Sequence, residues 1–272
     1  MYDFPSLSSD ILKTLRQTVD SLFFSFSRSY GESIENLLYP IAYILNISEQ
    51  LFVNTPWFIV LLLITVISYI TSKNIQLTLI VTTTLFTLGL LGLWKDSMIT
   101  ISTVLIAMAI CVVIGIPTGI LMSTNNYIKK YILPILDLMQ AIPTFVYLIP
   151  IIMLLGIGAV PGLLAIIIYS IPPIIRFTDI GIREVSKSYI EGAKSLGMSD
   201  SQILLKIKIP LAYSTIFAGL NQTIMMILSM VVVASMIGLE GLGRNVLKAI
   251  TNQYLTMGLL NGIAIVAIAI LL

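Results

Sequence analysis

Apolar runs govern what this chain can fold into. Several stretches of about 18 or more residues carry few or no charges, the length an α-helix needs to cross the hydrocarbon of a bilayer. Hydrophobic residues make up 57% of the chain and charged residues 10%, a composition of polytopic helical membrane proteins rather than soluble domains. The same residues exclude several chemistries. There is no histidine, and Cys111 is the lone cysteine, so within one chain disulfides, His–Cys metal sites and Cys–His or Ser–His catalysis are absent. No G-x-x-x-x-G-K-[ST] loop occurs to cradle a nucleotide. The net charge of +2 suggests no nucleic-acid partner. No basic region precedes an apolar core at the N-terminus, so no cleavable signal peptide is expected.

Taken in order, residues 1 to about 30 are polar and Ser-rich, and read as a loosely ordered tail. From Ser33 to Val53, apolar residues recur at helical spacing but are interrupted by Glu35, Asn46 and Glu49. That pattern predicts an amphipathic helix lying on the membrane surface. Residues 1–55 therefore form an extracytoplasmic tail and interfacial helix, and 56–97 hold two leading spans, from Pro56 to about Ser72 and from Leu77 to Leu93. The remainder, 98–272, forms the core. Its first span, Met98 to Met122, contains Gly115, Pro117 and Gly119, which predict a kink or a close helix contact. The next, Ile132 to Leu155, contains Pro134, Pro143 and Pro150 and should not be a straight helix. Gly162 to Phe177 reads as a span interrupted by Pro172-Pro173. Ser214 to Ile237 is the sixth span, Gly238 to Gly243 a flexible loop, and Leu255 to Leu272 the seventh.

Basic residues orient these spans. With 188–210 inside, Lys73, Lys129, Lys130, Arg176, Arg183, Lys187, Lys194, Lys206 and Lys208 face the cytoplasm. Lys13, Arg16, Arg28, Lys95, Arg244 and Lys248 lie outside, among acids that include Asp3, Asp10 and Asp20. The bias places the N-terminus out and the C-terminus in.

The 188–210 stretch is the polar exception among apolar neighbours. Ser188 with Glu191, and Ser199 with Gln202, have capping-box spacing and predict helices starting near Tyr189 and Asp200. Gly197 suits a left-handed C-terminal cap. Pro210 disfavours helical geometry at Ile209 and should close the element. Ala193 and Gly197, four apart with Gly192 adjacent, would let another surface approach the backbone. Glu191 and Lys194 are spaced to pair. An ordinary amphipathic loop is the plainer reading; two capped helices among membrane spans suggest a docking surface.

Glu191-Gly192-Ala193, three residues, Gly197, nine residues, Ile207, one residue, Ile209-Pro210 resembles the E-A-A-x3-G-x9-I-x-L-P signature of ABC importer permeases. Gly192 replaces the commoner alanine and Ile209 the leucine. Asp137 to Pro150, Pro172 to Arg176, and Asn221-Gln222 through Ile237 are similar to the glycine betaine/proline betaine branch of that family. The resemblance implies an all-α, type I ABC importer transmembrane domain of about seven spans in the bacterial inner membrane. It assigns ATPase coupling to Glu191, Gly192, Ala193, Gly197, Ile207 and Pro210. It also implies two ATPase subunits that bind ATP and Mg, a second copy of the permease, and an extracytoplasmic substrate-binding protein. No cofactor is implied for this chain, and the substrate is a betaine, choline, carnitine or trimethylamine oxide.

Other residues carry two readings each. Asp137 is either a transport acid or a carboxylate solvated near the cytoplasmic face; Arg176 either acts or snorkels. Asn221 and Gln222 are either interhelical glue or path lining. Phe145, Tyr147 and Tyr169 either meet a quaternary ammonium by cation–π contact or simply pack. Met225, Met226, Met230 and Met236 either line a smooth path or fill gaps. Gly238, Gly241 and Gly243 form either a gate hinge or a turn. The rival class is an ion-coupled secondary transporter with substrate held at broken spans. An intramembrane enzyme is disfavoured by the lack of histidine and of paired acids within a span.

Overall fold

A computed structural model describes residues 8–272; Asp3 and its neighbours lie outside the described residues. The first helix, α1 (Ser9–Asn54), is continuous, so the tail expected up to about residue 30 is helical from Ser9 onward. The sequence carries the reason: Ile11, Leu15, Val19 and Leu22 recur at three- and four-residue spacing within the polar segment. A sharp turn at Thr55-Pro56 then bends the chain by 106° into α2 (Trp57–Ser72). Pro56 stands just before the first helical residue, where its lack of an N–H costs nothing. The leading pair is completed by α3 (Ile75–Leu90), capped by the Asn74 side chain, which accepts a hydrogen bond from the Gln76 N–H at 2.9 Å. Thr65 and Thr82 share a hydrogen bond of 2.8 Å between α2 and α3.

The core consists of α4 (Trp94–Thr124), α7 (Ala159–Arg183) and α10 (Ile209–Ala234), with α7 packed between the other two. Small residues set both interfaces. A Cβ on Gly115 would sit 2.3 Å from Ile174 Cγ2, and one on Gly119 would sit 2.7 Å from the Ile175 carbonyl oxygen. On the other side, Gly219 faces Phe177 and Gly181 faces Thr215 at comparably short range. The close contact expected at Gly115-x-Pro-x-Gly119 is therefore present, and α4 runs unbroken through Pro117.

The proline-rich spans diverge from each other. The chain from α5 (Asn126–Ala141) to α6 (Thr144–Leu155) bends by 101° at Ile142-Pro143, while Pro134 and Pro150 sit inside helices. Helix α7, expected to be interrupted at Pro172-Pro173, is continuous. Two adjacent prolines remove two N–H donors, but their fixed φ suits a helix. Both prolines and their neighbours Ile171 and Ile174 are buried, so packing on both sides holds the rod together.

After α7 come two short helices, α8 (Lys187–Ser195) and α9 (Asp200–Ile203), and a π-helical turn, Leu204–Lys208, that leads into α10. A 3-10 turn, Ser235–Ile237, follows α10, and then α11 (Leu242–Asn252) and α12 (Leu255–Leu271). The 238–243 segment is pinned rather than flexible. The Gly158 N–H donates to the Ile237 carbonyl at 2.8 Å, the Leu242 N–H donates to Thr100 Oγ1 at 3.0 Å, and Leu239 and Leu242 are buried. Gly238 and Gly241 supply the left-handed backbone at φ +99° and +103°, whereas Gly243 already belongs to α11.

Among the described residues, three helical stretches are long and apolar enough to cross a membrane by themselves, and up to five if each bent pair is counted as one; α3 and α12 are shorter apolar helices. The α4–α7 contact makes a testable prediction. Gly119→Ala drives a methyl into a backbone carbonyl and should cost about 1–3 kcal/mol, whereas Gly262→Ala, with nothing within 4 Å, should be close to neutral. Thermal unfolding of the detergent-solubilised chain measures both; equal midpoints would contradict the packing.

Candidate functional site: the capped element between α7 and α10 and the exposed face of α10

The element between α7 and α10 is built by local chemistry. Helix α8 starts at Lys187 behind Ser186, two residues earlier than expected, and no capping box forms; Ser186 and Ser188 instead share a hydrogen bond of 2.9 Å. Its C-terminus closes as the sequence predicts. Gly197 has φ +77°, the Gly197 N–H donates to the Lys194 carbonyl at 2.9 Å, and the Met198 N–H donates to the Ala193 carbonyl at 3.1 Å. Those two bonds are the Schellman pattern. The second capping box is present: the Ser199 N–H donates to Gln202 Oε1 at 2.9 Å, and the Gln202 N–H to Ser199 Oγ at 3.4 Å.

Pro210 does not close the element. Ile209 is helical, and its N–H reaches back five residues to the Leu204 carbonyl. Widening the helix by one residue places Pro210 in the first turn of α10, where it has no donor to lose. Helix α9, the π turn and α10 thus form one continuous rod.

Within this element Glu191, Gly192 and Gly197 are exposed, and neither glycine has any atom within 4 Å of a Cβ position. Ala193 is buried, so it packs inward rather than offering a small surface. Ile207 is half-buried and Pro210 exposed. The pair expected between Glu191 and Lys194 is replaced by a looser one from Lys194 to Asp200 at 3.8 Å, with both side chains largely in water. Such an exposed pair adds little stability. Exposed Tyr189, Leu196 and Leu205 give the element an apolar surface, with Leu196 at 83% exposure.

The candidate path residues divide. Asn221 and Met225, one turn apart on α10, are exposed together with Gln222, Ser214, Ala218 and Ser229. Among the described residues neither amide side chain has a hydrogen-bond partner, so they are not glue within this chain. Met236 is also exposed, but Met230 is buried and fills a gap in the core. Tyr147 donates to the Met139 carbonyl across the Pro143 bend and meets Tyr169 edge-on, with ring centroids 6.2 Å apart. Phe145 is exposed and is not part of that aromatic pair.

Asp179 received no role from sequence reasoning. It is 3% exposed, and its two oxygens accept from Lys129 Nζ and Arg183 Nε at 2.6 Å each. Arg183 also donates to Asn126 Oδ1 at 2.9 Å and to the Met122 carbonyl. Asp137 and Arg176, weighed separately above, form an ion pair of 2.5 Å. The available signal was alternating charge at 176, 179 and 183, one face of an otherwise apolar helix.

At the opposite end, Asn245 Nδ2 donates to Asp96 Oδ2 at 2.6 Å and to Asn261 Oδ1 at 3.2 Å, tying α11 to α4 and α12. Ser102 donates to Ser48 of α1 at 2.8 Å. Nearby, burial raises the Glu49 carboxyl above its ordinary range, and the Glu240 carboxylate adds to the shift.

A continuous three-helix core, a bent helix pair and a capped helical element between two core helices describe a polytopic helical membrane protein. The family described as binding-protein-dependent transport system inner membrane component matches residues 111–272, more than half of the chain. The chain belongs to that family. It is 42% identical over 233 residues to the glycine betaine/proline betaine transport system permease protein ProW of Escherichia coli (strain K12), covering 86% of this chain and 66% of that protein. It is also 42% identical over 219 residues to the glycine betaine/carnitine transport permease protein GbuB of Listeria monocytogenes, covering 80% of this chain and 78% of the relative. This chain thus spans just under two thirds of the length of the Escherichia coli relative. An inward-facing structure of the MetNI methionine ABC transporter shares its fold, with TM-score 0.57 and 19% identity over 63% of this chain and 87% of that one.

The capped end of α8 can be tested directly. Gly197→Ala places a Cβ in the left-handed region and should cost about 1–2 kcal/mol locally, while Gly192→Ala should be tolerated. Amide hydrogen exchange over residues 187–203 should rise only in the first variant; indistinguishable exchange would contradict the cap.

Proposed function

We propose that the chain is the permease subunit of an ATP-driven ABC importer that takes up glycine betaine or a related quaternary-ammonium compatible solute. The observation that carries this reading is the exposed α8–α9 element. It stands between two core helices, is rigidly capped, and carries Glu191, Gly192, Gly197 and Pro210 at the signature spacing. The names of the ProW and GbuB relatives support the solute class.

Seven spans follow if α2, α3, α4, the bent α5–α6 pair, α7, α10 and α12 each cross once. The N-terminus is then outside, and α1 lies across the outer ends. In support, Ser27 near the middle of α1 donates to Met153 at the end of α6, while Ser48 near its other end meets α4. The residues before α2 form an interfacial unit, the two leading spans a second, and α4 onward the permease core.

Two copies pair with the uncovered face of α10 toward the central path, where Asn221, Gln222 and Met225 meet substrate and Phe145 and the Tyr147 pair stand near the bend. Each copy offers α8 to one ATPase subunit, which binds ATP and Mg. An extracytoplasmic binding protein delivers the solute. Gly192, Gly197, Glu191, Ile207 and Pro210 carry the coupling contact, with Ala193 as the buried foot of α8.

Reconstitution in liposomes tests the reading. Radiolabelled glycine betaine should enter only with the ATPase, ATP and binding protein present. Uptake without ATP that collapses with an ion gradient would establish the secondary-transporter alternative instead. Gly197→Leu should insert and assemble yet hydrolyse ATP with little uptake; normal uptake by this variant would remove α8 from the coupling role.

A further inference from the structure

The polar contacts between α5 and α7 form an ordered ladder. On α5, Asn126, Lys129 and Asp137 share one helix face; on α7, so do Arg183, Asp179 and Arg176. The helices pair in opposite directions, Asn126 with Arg183, Lys129 with Asp179, and Asp137 with Arg176. Asp179 is the centre, because one carboxylate holds a cation from each helix at 2.6 Å while almost wholly removed from water. A buried carboxylate is tolerated only when its partners stay in place, so this contact resists separation of the two helices more than an exposed pair would. Arg183 extends the tie to α4 through the Met122 carbonyl.

The ladder's position gives it a consequence. Only Glu184, Val185 and Ser186 separate the end of α7 from α8. Beyond the other end of the ladder, a short run after Asp137 reaches the Pro143 bend, where Tyr147 of α6 is tied back to Met139. We propose that Asp179, clamped by Lys129 and Arg183, is a positioning residue that makes α5 move with α7, so that displacement of α8 reaches the bend of the α5–α6 span. This inference rests on the importer reading above.

The test uses the complete importer, with its ATPase and binding protein, in liposomes and a Cys111→Ala background. Spin labels are placed singly at exposed Ile180→Cys on α7 or exposed Tyr131→Cys on α5, and the distance between the two copies is measured with and without ATP. In the parent both distances should change together. In Asp179→Ala the α7 distance should still respond while the α5 distance no longer follows, and solute moved per ATP should fall about tenfold. Asp179→Glu should restore both. The proposal is overturned if α5 follows α7 in Asp179→Ala, or if it fails to follow in the parent. Should Asp179→Ala not assemble, the α5 side of the same clamp serves, because Lys129 is the more exposed partner. Lys129→Ala should leave Asp179 paired with Arg183 yet decouple the distances, and Lys129→Arg should keep them coupled; distances that stay coupled in Lys129→Ala overturn the proposal. A label at exposed Leu196→Cys reports α8 itself. If that distance ignores ATP, the importer reading fails and the ladder's role fails with it, a result distinct from α8 and α7 moving without α5.

Discussion

The structure depends on α7 remaining a continuous helix held at very short range on two sides. Hydrocarbon offers no water to a freed carbonyl, so a span with two adjacent prolines survives only where protein surrounds it. Gly115 and Gly119 of α4 and Gly219 of α10 supply that enclosure by letting Ile174, Thr178 and Phe177 of α7 sit directly against their backbones. The bent α5–α6 pair is the complementary case. There the chain turns at Pro143, and the Tyr147 hydroxyl satisfies a carbonyl on the other side of the bend.

What the sequence made legible was local. Apolar length marks α2, α3, α4 and α12 within a few residues, and the caps at Gly197 and Ser199–Gln202 follow from nearest neighbours. Prolines were ambiguous because their effect is decided by surroundings: Pro143 breaks a helix, Pro134 and Pro150 do not, and Pro172-Pro173 are carried by packing. Pro210 was misread for a related reason, since a π turn is a register change that no composition rule signals. The continuity of α1 and the existence of α11 were readable from apolar spacing but were outweighed by polar composition and by three glycines. The i,i+4 pair of Asp179 with Arg183 was legible, but its second partner was not, because Lys129 lies fifty positions away.

The two ends of the α8–α9 element are joined to the core by different physics. On one side α9 runs through the π turn into α10 as continuous helix, so a displacement of α9 is carried along the backbone into α10. On the other, α8 meets α7 through a short linker, and α7 reaches α5 through charges. A backbone rod cannot slip in register, whereas an ion pair can be made, lost and remade. In the proposed transport cycle α10, whose uncovered face carries Asn221 and Met225, follows the element obligatorily, while α5 follows only as long as the Asp179 clamp holds. In that proposal the difference divides the chain into a helix that moves with the partner ATPase and one whose movement is conditional, and the conditional helix leads into the bent α5–α6 pair.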